Sequence, residues 1–426
     1  MGWPMVGGIA ATMAFNIVDT YFIGQLGVPE LAAMGFVNPV VMTIVSASVG
    51  MSMGTSSVLS RALGKGDPTF IRNIASNSIL LSLLLSIALT IIGLTFNDQL
   101  FRMLGANKAD LERIWQYMQI WWPGIFLIIV PMVSLGQIRA MGRTGLQSRI
   151  MIYASIINAI LDPILIMGFY MIPALGLKGA AIATILTRLM TLISAFYYLK
   201  FEFDLLDYSK NILGHFFDNS KTLLHVALPA TCTNLITPFA IGVITAMVAT
   251  YGTNAVAAFN IANNVEAICR ITFFAAAAAI APFMGQNMGA EKFKRMKIAV
   301  RYCAYFCISW GLFLALVIAL VGEMMARFFN DTPEVVEIAT LYMYIVPISY
   351  GFFGLVRNIT SGLNAMGRPL PGTSISFVRA IILQVPLAIY GGANWGLAGI
   401  FGAICLSNIV ASILAFFWNR RILSRL

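Results

Sequence analysis

The chain has 426 residues, of which 59% are hydrophobic and only 10% charged. Soluble domains carry about 25% charged residues, and a soluble protein this apolar would expose large greasy patches, so the composition argues for a membrane protein. The net charge of +10 does not point to nucleic acid, because the basic residues gather in every second loop, as membrane topology demands.

Apolar runs of about 20 residues or more predict twelve spans, near 1–25, 32–60, 71–96, 112–138, 148–172, 177–200, 221–250, 255–284, 297–321, 335–364, 371–391 and 396–419. The chain enters the first of these almost at once, without the basic leader of a cleavable signal peptide. Either its natural start is unusually short or residues precede it. Span 1 holds Pro4 near its inner end, then Asn16, Asp19 and Tyr21. Asn16 and Asp19 are three residues apart and are expected on one helix face. Span 5 holds Asn158, Asp162 and Pro163 within about one and a half turns, with the amide and the carboxylate at i, i+4 spacing. Lipid offers these groups no water, so they must line a cavity or find partners. Span 6 adds Thr184, a further candidate for the same site, although threonine at such a position is more often a packing residue.

Segment 201–220 mixes Phe201, Phe203, Leu205 and Leu206 with Glu202, Asp204, Asp207 and Asp218. It reads as a cytoplasmic linker lying partly on the membrane surface. The expected organisation is therefore a first lobe over 1–200, this linker, and a second lobe over 221–426. In span 8, Glu266 and Arg270 sit at i, i+4 spacing. They form either an internal ion pair or a cavity acid that attracts cations, with Asn260, Asn263 and Asn264 nearby as oxygen donors. Arg188, Arg357 and Arg379 also fall within spans and are expected to bind helix ends or snorkel. The run Ala275 to Ala279 suits close helix packing.

The five cysteines and the two histidines, His215 and His225, lack the spacing of a disulfide framework or a zinc site. Gly64-Lys-Gly66 and Gly142-Arg-Thr-Gly145 are turn signals without the spacing of a phosphate-binding loop, which argues against direct use of ATP. An enzyme acting on lipid would need a catalytic cluster near an interface, and no such cluster is visible. No cofactor or metal is expected.

Of the 27 Lys and Arg residues, 18 lie in one set of loops and the tail, five in the opposite loops and four within spans. The positive-inside rule then places both termini in the cytoplasm, in a multi-pass protein of the inner membrane. The two halves also echo each other at an offset of 225 residues. Pro4 pairs with Pro229, Gly27 with Gly252, Ala32-Ala33 with Ala257-Ala258, Gly64 with Gly289, and Ala140-Met-Gly-Arg143 with Ala365-Met-Gly-Arg368. Further on, Pro163 to Gly168 pairs with Pro386 to Gly391 at 223. This is the mark of duplication. Each half has an even number of spans, so both share one orientation. Transporters built this way bind substrate between halves that rock against each other.

Several motifs, in this order, resemble the multidrug and toxic compound extrusion (MATE) transporters over essentially the whole chain. They are Pro4 with Asp19-Thr-Tyr-Phe-Ile-Gly24-Gln-Leu-Gly27, Arg139-Ala-Met-Gly142-Arg143, Asn158-Ala-Ile-Leu-Asp162-Pro163-Ile-Leu-Ile-Met-Gly168, and Gly176-Leu-Lys-Gly179-Ala-Ala. The resemblance implies an all-α membrane fold of two six-helix lobes in a V, exporting cationic or amphipathic compounds in exchange for protons or sodium ions. It also implies that Asp19, Asn158 and Asp162 are the coupling residues. The sodium-coupled, NorM-like branch carries further acids in its seventh and tenth helices. Here Leu223 to Thr250 and Leu341 to Leu363 hold none, which favours the DinF-like branch.

Read from the residues themselves, Asp19 and Asp162 both fall in the outer half of the membrane. Two close carboxylates in a poorly hydrated cavity cannot both ionise cheaply. The expectation is that protons load there and that span 1 then bends, with Pro4 and Pro163 permitting bending. The lobe cavity shrinks and cargo is expelled. Met and Phe side chains, with Tyr21 and Glu266 as further lining, would suit varied small-molecule drugs. Sodium carried by the same acids, or flipping of a lipid-linked saccharide, are the alternatives. A monomer in the lipid bilayer is expected.

Overall fold

The computed structural model describes residues 2–170, 173–206 and 214–426, with Val28 described by its backbone alone. The chain forms α1 (Gly2–Leu26), α2 (Val28–Lys65), α3 (Pro68–Met103), α4 (Lys108–Trp121), α5 (Phe126–Ala140), α6 (Thr144–Ile166) and α7 (Leu177–Tyr197). It continues with α8 (Phe216–Ala249), α9 (Thr253–Gly289), α10 (Phe293–Phe329), α11 (Pro333–Ile345), α12 (Tyr350–Ala365), α13 (Pro369–Phe377) and α14 (Val385–Ser424). Helix ends follow local chemistry. The Asp67 carboxylate accepts the Thr69 and Phe70 N–H groups at 3.0 and 3.1 Å to start α3, and Asn107 with Asp110 forms a reciprocal capping box for α4.

Among the described residues, eleven helical runs are long and apolar enough to cross a membrane. The last, Pro369–Ser424, spans 56 residues and holds two of the twelve expected crossings. It is not straight. Gly396 has φ +59° and ψ −142°, a conformation that side chains disfavour. Gly391 and Gly399 lie backbone to backbone, so a Cβ on Gly399 would meet the Gly391 carbonyl oxygen at 2.0 Å. Residues eight apart in a straight helix would be about 12 Å apart, so the chain folds back at Gly396. The fourth and tenth crossings are each built of two helices joined by a tighter turn, Pro123–Ile125 between α4 and α5 and Val346–Ser349 between α11 and α12.

The duplication is written in the backbone as well as the sequence. Gly176 has φ +56° and ψ −132°, close to Gly396, and Gly142 and Gly367 share φ near +79° and +77°.

The backbone groups into two compact units, Trp3–Thr231 and Cys232–Leu426. The division falls inside α8, because Leu223 and Ala227 belong to the buried clusters of the first unit. In that unit, the close approach of α2 to α8 needs Gly54, where a Cβ would lie 2.9 Å from the Leu223 carbonyl oxygen. Buried polar groups tie α3 to α5, with the Gln137 amide donating to the Ala75 carbonyl and the Ser78 hydroxyl, both at 2.9 Å. The core of the second unit gathers around Phe259, Phe273, Tyr342 and Phe401.

Within the expected linker 201–220, residues 207–213 lie outside the described residues. Leu205 is buried in the core beside Leu199 and Leu223, and Asp204 ion-pairs with Arg72. The start of this segment is thus folded onto the first unit.

Candidate functional site: the buried acids of the first unit

The site is assembled from α1, α4, α6 and α7. α1 and α6 approach closely near their starts. A Cβ on Gly8 would meet Ser148 Oγ at 2.8 Å, and the Ser148 hydroxyl donates to the Pro4 carbonyl. From that crossing both helices run the same way, since Pro4, four residues before Gly8, lies against Gly145, three residues before Ser148. Asp19 lies eleven residues beyond Gly8 and Asp162 fourteen beyond Ser148, a rise of about 16 and 21 Å. The two acids therefore stand at similar height.

Asn158 and Asp162 are buried on one face of α6, with 1% and 0% exposure. Neither oxygen of Asp162, nor the amide oxygen or nitrogen of Asn158, has a hydrogen-bond partner among the described residues. Asp19 on α1 is half-buried, and its Oδ1 is also buried and unpartnered. Asp19 and Asp162 lie within electrostatic reach of each other. A buried charge without hydrogen bonds is costly, and two such charges of one sign repel. Pro163 follows Asp162 directly. It cannot donate to the Ala159 carbonyl, which weakens the helix beside the acid.

Tyr117 of α4 completes the group. It is 5% exposed, its hydroxyl is hydrogen-bonded with Thr184 of α7, and it lies within reach of Asp19, Asp162 and Arg188. Thr184 and Arg188 are four residues apart, so they share a face of α7. Sequence reasoning missed Tyr117, because nothing in its neighbourhood distinguishes it from the aromatic residues that fill a core. Arg188 had a signal, a cation inside a span one turn from Thr184. Its half-buried side chain faces this group.

Two other residues of α1 stand apart. Asn16 is exposed, and its carbonyl accepts the Thr20 hydroxyl at 2.8 Å. Tyr21 is 60% exposed and packs edge-on against Phe22. Two residues along a helix turn the side chain by about 200°, so Tyr21 looks away from the side that Asp19 occupies. In the second unit Glu266 is 1% exposed, ion-paired to Arg270, and accepts the Tyr342 hydroxyl. Its carboxylate is enclosed by these partners. The Asn263 amide donates to the Phe259 carbonyl of its own helix at 3.0 Å. Of the two roles expected for Arg379, binding a helix end or snorkelling, its burial rules out the second. It is 6% exposed, bonds Asn408 and lies over the Phe353 ring. Arg357 likewise turns onto the Phe274 ring.

The acids have no counterparts in the second unit. At the repeat offsets Asp19 corresponds to Ile244 and Asp162 to Val385. The shared fold therefore does not require them.

The MatE family model matches the chain twice, over residues 4–164 and 229–390, so the two matches begin at the paired Pro4 and Pro229. The chain is 34% identical over 422 residues to the FAD transporter of Shewanella oneidensis, covering 99% of this chain and 93% of that protein. It is 24% identical to the probable multidrug resistance protein YoeA of Bacillus subtilis, covering 88% and 81%. Its fold is similar to the MATE transporter VcmN of Vibrio cholerae in the bent form, with a TM-score of 0.94 and 29% identity over 100% of this chain and 96% of that one. With eleven helical runs among the described residues long and apolar enough to cross a membrane, and a duplicated family match spanning most of its length, the chain is a multi-pass membrane protein that belongs to the MATE family of transporters.

Proposed function

We propose that this chain exports amphipathic small molecules across the cytoplasmic membrane in exchange for protons taken up at Asp19 and Asp162. The observation that carries the reading is the pair of acids within reach of each other, with three buried oxygens that no described residue satisfies. A proton on either carboxyl removes that group's desolvation cost and the repulsion between the two. Asn158, Thr184 and Tyr117 supply polar atoms that can hold and pass that proton. The two lobes of the duplicated chain, 1–200 and 221–426 joined by 201–220, would alternate access as halves of such transporters do. Both termini would face the cytoplasm, and one chain would suffice.

α1 is the natural moving part. Only Met5, Gly8 and Ile23 are buried along its length, so bending it disturbs little packing. Protonation removes the repulsion that separates α1 from α6 at Asp19 and Asp162, and α1 closes on the first lobe. The same neutralisation releases a cation held by the acids. The absence of acids from the seventh span and from the core of the tenth supports the DinF-like branch over the NorM-like one.

A sodium reading has one observation in its favour. The free oxygens of Asp19, Asn158 and Asp162 are the hard ligands a cation takes. Transport in reconstituted vesicles with one gradient at a time separates the two. The proton reading predicts drug movement driven by a pH gradient alone, and movement driven only by sodium would replace it. For the cargo, the probable multidrug resistance relative supports varied amphipathic compounds. The higher identity to a FAD transporter over nearly the whole chain supports a flavin nucleotide.

A further inference from the structure

The second unit holds a cluster of opposite sign to the first. Arg270 of α9 and Arg379, in the wide helical turn Val378–Gln384 ahead of α14, place their guanidiniums 4.2 and 5.5 Å from the centre of the Phe353 ring. Arg357 of α12 lies 5.1 Å from the centre of Phe274, which meets Phe353 edge-on at 6.4 Å. Arg379 is within electrostatic reach of Arg270, Glu266 and Arg357 together. Glu266 is the one acid in that set, and Arg270 and Tyr342 already engage it. Three guanidiniums thus stand against one carboxylate.

Their hydrogen bonding is incomplete. The Nε atoms of Arg270 and Arg357 are buried without a partner among the described residues. Arg357 makes a long bond of 3.5 Å to Asn234, and Arg379 one of 3.1 Å to Asn408. Aromatic faces offset only part of the cost of holding cations in a membrane interior. The fold does not demand the cluster either. At the repeat offsets Arg270, Arg357, Arg379 and Glu266 correspond to Val45, Met132, Ile156 and Val41, so the first half packs the same helices without it. The region is reachable, since the Arg270 side chain keeps 16% of its surface exposed and Arg357 is half-buried.

A planar guanidinium fork matches the oxygens of a phosphate, and charge-assisted bonds to phosphate are strong. We infer that Arg270, Arg357 and Arg379 form a subsite for a phosphate group, so that the cargo or part of it is a phosphate-bearing anion. This rests on the exporter reading only in treating the bound molecule as cargo.

Equilibrium binding to the purified full chain in phosphatidylcholine nanodiscs, with no gradient imposed, tests the inference. The probes are FAD and riboflavin, which share a ring system and its ribityl chain, FAD adding a pyrophosphate and an adenosine. FAD should bind at least ~10-fold more tightly, as expected of charge-assisted bonds. Arg357→Gln should weaken FAD by at least about tenfold and leave riboflavin unchanged, and Arg357→Lys, which keeps the charge but not the fork, should restore only part of the loss. Inorganic pyrophosphate or dodecyl phosphate should displace FAD, and the stronger competitor tells a soluble phosphate from a lipid headgroup. Equal binding of FAD and riboflavin, a folded Arg357→Gln that keeps its FAD affinity, or displacement by neither phosphate would overturn the subsite. If Arg357→Gln fails to fold, displacement from the unaltered chain decides. Proton-driven export of phosphate-free cations without phosphate binding would refute this site alone. Phosphate binding without proton-driven export would refute the coupling alone.

Discussion

At the scale of single residues, the two units carry charge in different ways. Asp162 is buried with no hydrogen bond among the described residues, whereas Glu266 is buried, ion-paired to Arg270, and accepts the Tyr342 hydroxyl. The same conservative change should therefore have opposite effects at the two positions. Asp162→Asn removes a charge that the fold only tolerates, so the melting temperature should hold or rise while gradient-driven export is lost. Glu266→Gln leaves Arg270 without its partner. Breaking a buried pair in this way costs about 3–5 kcal/mol, so the variant should melt markedly lower, as read by a thermal shift in detergent. Equal behaviour of the two variants would contradict this distinction. The acids themselves were legible in the sequence, because a carboxylate inside an apolar span is rare and expensive. Tyr117 was not legible. A tyrosine between Gln116 and Met118 is ordinary core material until folding brings Thr184 to its hydroxyl.

At the scale of elements, the parts that surround the acids are the ones expected to move. α1 is almost unburied, and α6 carries Pro163 directly after Asp162. Pro163→Ala restores a helical hydrogen bond and removes a clash worth about 3 kcal/mol in a helix interior. It should raise thermal stability and slow export, with substrate binding unchanged. Faster export would contradict a hinge at this proline. Gly396 tests the other kind of backbone demand. Its positive φ turns the last apolar run back on itself, and such conformations cost side chains about 1–3 kcal/mol. Gly396→Ala should lower the melting temperature without altering coupling. The sequence showed the two crossings on either side of this turn, since apolar length alone reveals a span. It could not show that Asn16 is exposed while Asp19, three residues on, is half-buried. Helix spacing ranks neighbours, but the packing partner decides which face turns inward.

At the scale of the whole molecule, duplication explains the division of labour. One repeat unit gave two six-span halves, visible in sequence as paired Pro, Gly and Ala-Met-Gly-Arg motifs and in structure as matching backbone turns at Gly142 and Gly367. Each half carries charged residues in its interior where the other has apolar ones, acids at Asp19 and Asp162 against Ile244 and Val385, and cations at Arg357 and Arg379 against Met132 and Ile156. The basic interior escaped sequence reasoning because Arg270, Arg357 and Arg379 are far apart in the chain, and each alone resembles a snorkelling side chain. Division of roles predicts separable defects. Substitutions at Asp19 or Asp162 should abolish the response to a pH gradient while sparing equilibrium binding of phosphate-bearing ligands, and Arg357→Gln should do the reverse.

The central claim is that Asp19 and Asp162 are where protons are taken up. Infrared difference spectra of the protein in lipid, recorded as the outside pH is lowered, observe this directly through the carbonyl stretch of a protonated carboxyl group. The account predicts that this band grows on acidification and is reduced in both Asp19→Asn and Asp162→Asn. A band of undiminished size in both variants would place the protons elsewhere and contradict it.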